Sequence, residues 1–299
     1  MELKKLDELF LLAKKKQKSR LVIAAAHDIQ VLKAVYLACS EGIVEPLLVG
    51  QEQQIKEICS NLKIDSKSYE IIHEPEPVAA CYRAVSIIRD GQADILMKGL
   101  VSTAPFLKAI LNNETGIKKR EVLSHLALFE IPGYHKLLAL TDAAMNIRPN
   151  LEEKVNIIHN AVEVFHRLGQ KNPKIAVIGP VEVVNEKIES TVHAAMLTLM
   201  NRRRQIAGCI IDGPLALDNA VNREAAEHKG IVSEVAGEAD IILTPDLDSG
   251  NVLYKSLIFL AKSTSAAIVM GADSPVVLTS RADSEASKLM SIVLAAALD

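Results

Sequence analysis

The chain has 299 residues, which is enough for one large domain or two medium-sized ones with well-buried cores. Apolar residues make up 49% of it while Trp is absent, so we expect a core of Val, Ile, Leu and Ala, which is typical of α/β proteins. The formal net charge of −3 argues against a nucleic-acid-binding protein, and no apolar run approaches the ~20 residues that a membrane-spanning helix requires.

The N-terminal segment mixes residues of both charge signs and then runs into Lys14, Lys15 and Lys16. This pattern predicts an amphipathic helix and not a signal peptide, so we expect a cytoplasmic protein without a membrane partner. The cysteines are too scattered for Cys-x-x-Cys geometry, which predicts buried thiols in a reducing compartment and no metal site. They are Cys39, Cys59, Cys81 and Cys209.

Ten short aliphatic runs, rich in β-branched residues, are predicted to form strands that are buried on both faces. They are residues 21–26, 45–49, 69–73, 94–98, 137–141, 174–178, 208–211, 240–244, 266–270 and 276–278. Segments of helical period lie between them, at residues 29–41, 77–90, 151–168, 185–202 and 220–230. This alternation predicts an α/β fold with mostly parallel sheets flanked by helices.

Two domains are expected, because ten strands are many for one open sheet. Pro149 and Asn150 are typical of the start of a helix and place the first boundary near residue 146. The last helix, residues 284–298, is expected to return to the first domain. The predicted domains are therefore residues 1–146 with 284–299, and residues 147–283.

Two common phosphate-binding loops do not occur in the sequence. There is no Gly-x-x-x-x-Gly-Lys-Ser/Thr motif, and Ala24-Ala-Ala-His-Asp28 follows the first strand where a Gly-x-Gly-x-x-Gly loop would stand. Nucleotide hydrolysis and ordinary Rossmann dehydrogenation are therefore disfavoured. Ligand sites in open α/β sheets nevertheless lie at the carboxyl ends of strands, so these junctions carry the candidate residues.

The junction after the last strand is the most suggestive. Thr279 and Ser280 supply hydroxyls beside Arg281, and Ser284 is predicted to cap the next helix. A helix N-terminus beside a guanidinium group favours an anion-binding site. The alternative is a capped helix with an exposed arginine.

A second junction contains Lys98, which ends a buried strand, and Ser102 or Thr103 is predicted to cap the following helix. Lys98 is a candidate phosphate ligand, with a surface lysine as the alternative. A third contains Ser124 and His125, which could orient an acyl phosphate or move a proton. Adjacent strand residues point to opposite faces, so no nucleophile–base pair is expected there, and a structural histidine is the alternative.

Asp212-Gly-Pro is predicted to turn directly after a strand, with Asp218 capping the next helix. Asp212 could position a ligand hydroxyl or act as a base, although turn chemistry alone explains the motif. Asn251 is predicted to cap a later helix and is a candidate substrate-binding residue. Asp246 and Asp248 precede it in what we interpret as a polar loop rather than a metal site.

Together these junctions resemble the phosphate acetyl/butyryltransferase family. The segments that carry the resemblance are residues 97–103, 123–125, 140–147, 212–220, 229–231, 235–240, 249–255 and 276–284. The sequence Thr-Asp-Ala-Ala-Met-Asn-Ile at residues 141–147 is most similar to the butyryl branch, and the compact length fits that branch too.

The resemblance implies a two-lobed subunit like the isocitrate/isopropylmalate dehydrogenase fold, a homodimer or higher homo-oligomer, with its active site in the interdomain cleft. It implies reversible transfer of a short acyl group, butyryl favoured, between CoA and inorganic phosphate, with acyl phosphate as the other partner. CoA would be a substrate, and no permanently bound cofactor is implied. A phosphate acetyltransferase and a non-catalytic ligand-sensing relative are the alternatives.

The resemblance also assigns the catalytic roles. It places Ser280 and Arg281 against the reacting groups, and it implies an Asp base seven residues beyond the serine. This chain has Ser287 there, so Asp283 is the nearby substitute and the sensor alternative stays open. The substrate-binding candidates are Lys98, Thr103, Ser124, His125, Asp212, Asn251 and Thr279.

A metal-dependent decarboxylating dehydrogenase with the same architecture is the remaining alternative. It would need several aspartates around a divalent ion and arginines for the substrate carboxylates, and the sequence offers no convincing set.

Overall fold

A computed structural model describes residues 3–279 and 283–299. Its strands are β1 (Ser19–Ala24), β2 (Val44–Gly50), β3 (Glu70–His73), β4 (Ile95–Lys98), β5 (Ser124–Glu130), β6 (Leu138–Thr141), β7 (Lys174–Ile178), β8 (Ile210–Leu215), β9 (Ile241–Leu243), β10 (Thr264–Met270) and β11 (Val276–Val277). Its helices are α1 (Glu8–Ala13), α2 (Ile29–Ser40), α3 (Glu52–Asn61), α4 (Pro77–Arg89), α5 (Thr103–Ile110), α6 (Leu151–Arg167), α7 (Glu189–Arg202), α8 (Leu217–Val221), α9 (Arg223–His228), α10 (Leu247–Phe259) and α11 (Glu285–Leu298). The alternation confirms the predicted α/β fold.

The chain forms two compact units. The inserted unit comprises Met1–Leu6 and Ser124–Ser265, and the terminal unit comprises Asp7–Leu123 and Ala266–Asp299, within the described residues. These divisions lie at different positions from the domain boundaries that the sequence predicted near residues 146 and 283. The helix α11 belongs to the same unit as the N-terminal strands, whereas the predicted interdomain location of the active site stays a prediction.

In the terminal unit the strand order is β3-β2-β1-β4-β11-β10. The first five of these strands are parallel, and β10 pairs with β11 in the antiparallel sense. Residues 21–24 of β1 and all of β4 are buried, as expected for strands that are covered on both faces. Helices α2 and α4 each bury an aliphatic stripe.

In the inserted unit the strand order is β5-β6-β9-β7-β8. Strands β6, β9, β7 and β8 are parallel, while β5 runs antiparallel to β6. Strand β5 is not among the ten predicted aliphatic runs, because Ser124 and His125 begin it and leave an apolar run of only residues 126–129. The structure buries these two polar residues together with the apolar ones.

Two predicted helix starts are confirmed. The Asn150 side chain accepts from the Glu153 N–H while Glu153 accepts from the Asn150 N–H, which is a complete capping box for α6. The Ser284 hydroxyl accepts from the Ser287 N–H and caps α11.

Other predicted starts were wrong. Asp246 caps α10, so Asn251 lies inside that helix, and Ala216 precedes α8, so Asp218 lies inside α8. Strand β8 also continues through Asp212-Gly-Pro instead of ending there: its register with β7 shifts by one residue between Asp212 and Leu215, and the pairing resumes at Leu215. Within the described residues no helix is both long and apolar enough to cross a bilayer.

A buried ion pair fixes the amino end of the parallel strands in the inserted unit. The Lys136 Nζ lies 2.6 Å from the Asp240 Oδ1, and both side chains are at most 3% exposed. Lys136 also donates to the Glu238 carbonyl, and the Asp240 Oδ2 accepts from the Lys174 N–H at 2.7 Å. The pair therefore joins the residues that precede β6 and β9 to the first residue of β7.

We expect Lys136→Met to lower the free energy of unfolding by about 3–5 kcal/mol, because it leaves the Asp240 carboxylate buried without its cation. Urea denaturation measures the change. The matched control is Lys56→Met, which removes the exposed pair of Lys56 with Glu52 and should cost less than about 0.5 kcal/mol. Adding Asp240→Asn to Lys136→Met should restore part of the loss, and a further loss instead would contradict the buried-charge explanation.

Candidate active site

The carboxyl ends of β1, β4 and β11 lie at one edge of the terminal unit's sheet. Lys98 of β4 lies opposite Ala24 of β1, and Val277 of β11 lies opposite Met97 of β4. The segments that leave these strands therefore start side by side. They bring together two predicted site residues, Lys98 and Thr279, which are 6% and 5% exposed.

Lys98 is held by the loop that follows its own strand. Its Nζ donates to the carbonyl oxygens of Gly99, at 3.3 Å, and Val101, at 3.0 Å. Burial raises the pKa of the nearby Cys81 thiol to about 11, although the Lys98 charge acts in the opposite direction. The structure thus corrects one alternative: Lys98 is a buried cation and not a surface lysine.

Gly99 allows the close approach of the β1 and β4 loops. The Gly99 and Leu100 N–H groups donate to the carbonyls of Ala24 and Ala25, both at 2.8 Å. A Cβ atom at residue 99 would lie 2.2 Å from the Ala25 oxygen, which is far inside van der Waals contact. Glycine is therefore required where the two loops run together.

The other predicted site residues of the terminal unit are Ser280, Arg281, Asp283 and Thr103. Ser280 and Arg281 lie outside the described residues. Asp283 accepts from the Lys288 Nζ at its carbonyl oxygen, at 2.6 Å, and Thr103 is the exposed first residue of α5. Ser102 precedes α5 without a side-chain cap, so that predicted cap was wrong.

Ser287 has a structural role in the first turn of α11. Its N–H donates to the Ser284 hydroxyl at 3.1 Å, and the Ser284 hydroxyl donates to its Oγ at 3.2 Å. The residue is 8% exposed. The position at which the resemblance implies a carboxylate base is therefore part of a helix cap in this chain.

In the inserted unit, Ser124 and His125 lie at the start of β5. Because β5 runs antiparallel to β6, its first residues lie at the carboxyl end of β6. The Ser124 hydroxyl accepts from the Asn160 Nδ2 of α6 at 2.9 Å, whereas the His125 ring lies 5.9 Å from the Tyr254 ring of α10. The two side chains contact different helices, as expected for adjacent strand residues.

Asp142, immediately after β6, is a buried residue to which the sequence analysis gave no role. Its carboxylate accepts from the N–H groups of Ala144, Met145 and Asn146, at 2.9 to 3.2 Å, and from the Asn146 Nδ2 at 2.5 Å. The Thr244 hydroxyl donates to the Asp142 carbonyl at 3.0 Å. An Asp followed by small residues at a strand end is a turn signal that could have identified it.

Asn251 and Asp212 occupy different parts of the same unit. The Asn251 Nδ2 donates to the Ala143 carbonyl at 3.2 Å, so it contacts the Asp142 loop. Asp212 lies half-buried in β8, four strand positions from β5, or about 19 Å across the sheet. The structure therefore brings Asn251, and not Asp212, to the edge that Ser124 and His125 occupy.

Comparison with known proteins identifies the kind of enzyme. The family described as phosphate acetyl/butaryl transferase matches residues 6–78 and 77–296. The chain is 46% identical over 294 residues to a phosphate butyryltransferase of Clostridium acetobutylicum, covering 98% of each chain. It is 45% identical over 291 residues to a phosphate acetyltransferase of Thermotoga maritima, covering 97% of this chain and 98% of the other.

Among solved structures, a branched-chain phosphotransacylase from Enterococcus faecalis V583 superposes with a TM-score of 0.83 at 34% identity, covering 94% of this chain and 98% of the other. The protein is thus an α/β enzyme of the acyltransferase class. It belongs to the phosphate acetyl/butyryltransferase family, which confirms the resemblance that the sequence showed.

We expect Gly99→Ala to lower the free energy of unfolding by about 1–3 kcal/mol, because the new methyl group must displace the backbone of Ala25. Gly179→Ala is the matched control, since its Cβ would meet nothing nearer than the Ser190 hydroxyl at 3.4 Å. Urea denaturation of both variants is the measurement. Equal stabilities would show that the β1 and β4 loops are not in close contact.

Proposed function

We propose that the protein moves a short acyl group reversibly between CoA and inorganic phosphate, with butyryl as the favoured acyl group. The observation that carries the proposal is the 46% identity to a phosphate butyryltransferase across 98% of both chains. The buried Lys98 beside Thr279 supports it, because a phosphate substrate requires a cation and donors at a strand edge. Ser280 and Arg281 follow Thr279 directly in the chain.

The transfer needs no covalent enzyme intermediate. A phosphate oxygen attacks the thioester carbonyl, the carbonyl oxygen takes up negative charge, and the C–S bond breaks to give acyl phosphate and the CoA thiolate. Holding the two substrates in contact supplies much of the rate, because it replaces a bimolecular encounter by a unimolecular step. Donors that face the carbonyl oxygen in the transition state contribute about 3 kcal/mol each in known oxyanion holes.

In this proposal Arg281 binds phosphate and Ser280 donates to the carbonyl oxygen or contacts the thiol. A guanidinium group suits the first role because its N–H groups match two phosphate oxygens at once. Lys98 and Thr279 supply further positive charge and a hydroxyl. The other predicted contacts, from Thr103, Ser124, His125, Asp212 and Asn251, remain proposals about substrate binding.

The proton of the CoA thiol places a modest demand on the protein. A thiol with a pKa of about 8.5 is already partly ionised near neutral pH, so a strong base is not required. Asp283 is the proposed acceptor, since Ser287 is engaged in the α11 cap.

A phosphate acetyltransferase is the second candidate, and the 45% identity to such an enzyme supports it almost as well. Acetyl and butyryl groups differ by two methylenes, each worth about 1–3 kcal/mol in a hydrophobic pocket. Initial rates across an acyl-CoA series from acetyl to valeryl therefore distinguish the two.

We expect the purified protein to release CoA from butyryl-CoA when phosphate is added, and we expect Arg281→Ala to lower the turnover about 100-fold or more. A thiol reagent follows the released CoA. Arg203→Ala, which removes an exposed arginine after α7, is the matched control and should keep wild-type turnover. Near-normal turnover of Arg281→Ala would refute the Ser280–Arg281 roles, and no release from any acyl-CoA would refute the transferase itself.

We also propose that the protein is a homo-oligomer, with α10 of the inserted unit at the interface between copies. From Val252 to Phe259 this helix carries six apolar residues out of eight, yet Gly250 is its one buried residue among those described. Val252 and Phe259 are 67% and 58% exposed, and a cavity of about 310 Å³ lies beside Leu253 and Leu257. Exposed apolar side chains that cluster on one helix often mark an interaction surface, and a second copy across a two-fold axis would cover them.

We expect light scattering on a sizing column to give at least twice the 32.5 kDa chain mass, and Val252→Glu to shift the protein toward the monomer. The control is Leu11→Glu, which places the same charge on an exposed apolar position of α1 in the terminal unit. A monomeric wild-type protein, or equal shifts for both variants, would contradict the proposed interface. We also propose that the protein is cytoplasmic and that CoA is its substrate and not a resident cofactor.

A further inference from the structure

Lys154 of α6 is a buried cation in the inserted unit that the proposed chemistry does not use. Its side chain is 3% exposed, and its Nζ lies 3.0 Å from the Nδ1 of His193 on α7. Among the residues that the structure describes, no carboxylate forms an ion pair with Lys154. A buried ammonium group whose hydrogen-bond partner is an imidazole is unusual, because carboxylates normally fill that role.

The contact fixes the proton on the imidazole. An ammonium group only donates, so Nδ1 of His193 must accept, and the ring proton must then lie on Nε2. Charging the ring would place two cations 3.0 Å apart in a half-buried site. Burial and the Lys154 charge accordingly lower the pKa of His193, while the nearby Glu189 acts in the opposite direction. Both effects favour the neutral ring, which has one N–H donor.

The charged groups around the pair come from each element that packs there. Glu189 lies one turn before His193 on α7, and Asp246, the cap of α10, faces Lys154 from the loop after β9. Arg148, before α6, faces Asp246 in turn. Both carboxylates raise the pKa of Lys154, but burial outweighs them and lowers it overall.

The pair lies where the inserted unit would meet a ligand. Lys154 is in the first turns of α6, which follows β6, and His193 is in the first turns of α7, which follows β7. Asp246 lies three residues after the end of β9, and these three strands are parallel neighbours. Their carboxyl ends form the edge at which open α/β sheets bind ligands.

We propose that His193 is a substrate-contacting residue, a neutral imidazole whose Nε2–H donates to an oxygen of the substrates, and that Lys154 is its positioning residue. The proposal rests on the acyl transfer proposed above. The acceptor is a phosphate oxygen or the acyl carbonyl oxygen, both of which carry negative charge during the transfer. Within the described residues Nε2 of His193 has no protein partner, so this donor is available to a ligand.

Two substitutions separate the ligand contact from a structural role. His193→Gln places an amide donor near the Nε2 position, whereas His193→Asn places its amide near Nδ1, where it can still accept from Lys154 but cannot reach the substrate. We expect His193→Gln to keep turnover within about threefold and His193→Asn to lose about 10- to 100-fold. A purely structural role predicts the reverse order, because only the Asn variant keeps the bond to Lys154.

The kinetic constants identify the oxygen. A raised KM for phosphate in His193→Asn assigns the contact to phosphate, and a lowered kcat with unchanged KM assigns it to the carbonyl oxygen in the transition state. His228→Gln, at an exposed histidine on α9, is the control and should leave both constants unchanged. Turnover of His193→Asn within twofold of the wild type would overturn the proposal.

Nitrogen-15 NMR of the histidine rings tests the positioning role without any turnover. We expect the neutral His193 ring to carry its proton on Nε2, and the pKa of His193 to lie below that of an ordinary histidine. Lys154→Met should raise the pKa of His193, because it removes the neighbouring charge, and Lys154→Arg should keep that pKa lowered as in the wild type. A proton on Nδ1, or an unchanged titration in Lys154→Met, would overturn the positioning role.

The same spectra separate this proposal from the proposed function. If no acyl-CoA is a substrate, the transferase proposal fails, but titration with CoA and with inorganic phosphate still tests the contact. A shift of the His193 Nε2 resonance with either ligand, absent at His228, supports it. No shift with either would refute it.

Discussion

The parallel register of β1, β4 and β11 is the constraint on which the terminal unit's candidate site depends. Because Ala24 lies opposite Lys98 and Val277 lies opposite Met97, the three strands end at one edge and at nearly the same level. Gly99 then lets the loop after β4 follow the loop after β1 at backbone distance. Lys98 is consequently buried at this edge, and two carbonyl oxygens fix its ammonium group. A cation that is already held in place loses little conformational freedom when an anion binds.

The inserted unit uses buried polar contacts to fix both ends of one strand. Lys136, before β6, forms the ion pair with Asp240, and Asp142, after β6, accepts from four N–H donors. A buried carboxylate costs several kcal/mol unless its hydrogen bonds and charge are compensated, so each of these residues requires its partners in place. The Asp142 contacts lie at the same end of β6 as Ser124 and His125, whereas the ion pair fixes the opposite end.

Much of this fold follows from local sequence patterns. Aliphatic runs identified every described strand except β5, and Asn150 and Ser284 marked the starts of α6 and α11 because a capping residue acts within its own turn. Asn251 and Asp218 were wrongly predicted to cap α10 and α8. Several nearby residues can cap a helix, and in the structure Asp246 and Ala216 occupy the cap positions. Strand β5 escaped detection because its polar residues are compensated by distant partners such as Asn160.

The candidate site was predictable only in part, for a related reason. Strand ends pointed to Lys98 and Thr279, since parallel strands must finish at a common edge. Nothing local connects Lys154 with His193, which are 39 residues apart in sequence, or gathers four donors around Asp142. The distance of Asp212 from Ser124 and His125 was not predictable, because the sequence shows a strand around Asp212 but not where in the sheet that strand lies.

The chemistry of the transfer explains why Ser287 can serve as a helix-capping residue. At pH 7.5 about a tenth of a thiol with pKa 8.5 is already ionised, so full ionisation would raise the rate by only about tenfold. Neutralising phosphate and stabilising the negative charge on the carbonyl oxygen contribute far more to the rate, at about 3 kcal/mol for each donor. An enzyme with this reaction therefore gains more from fixed cations and N–H donors than from a strong base. The small demand for a base is compatible with a serine at residue 287, where its contacts with Ser284 belong to the cap of α11.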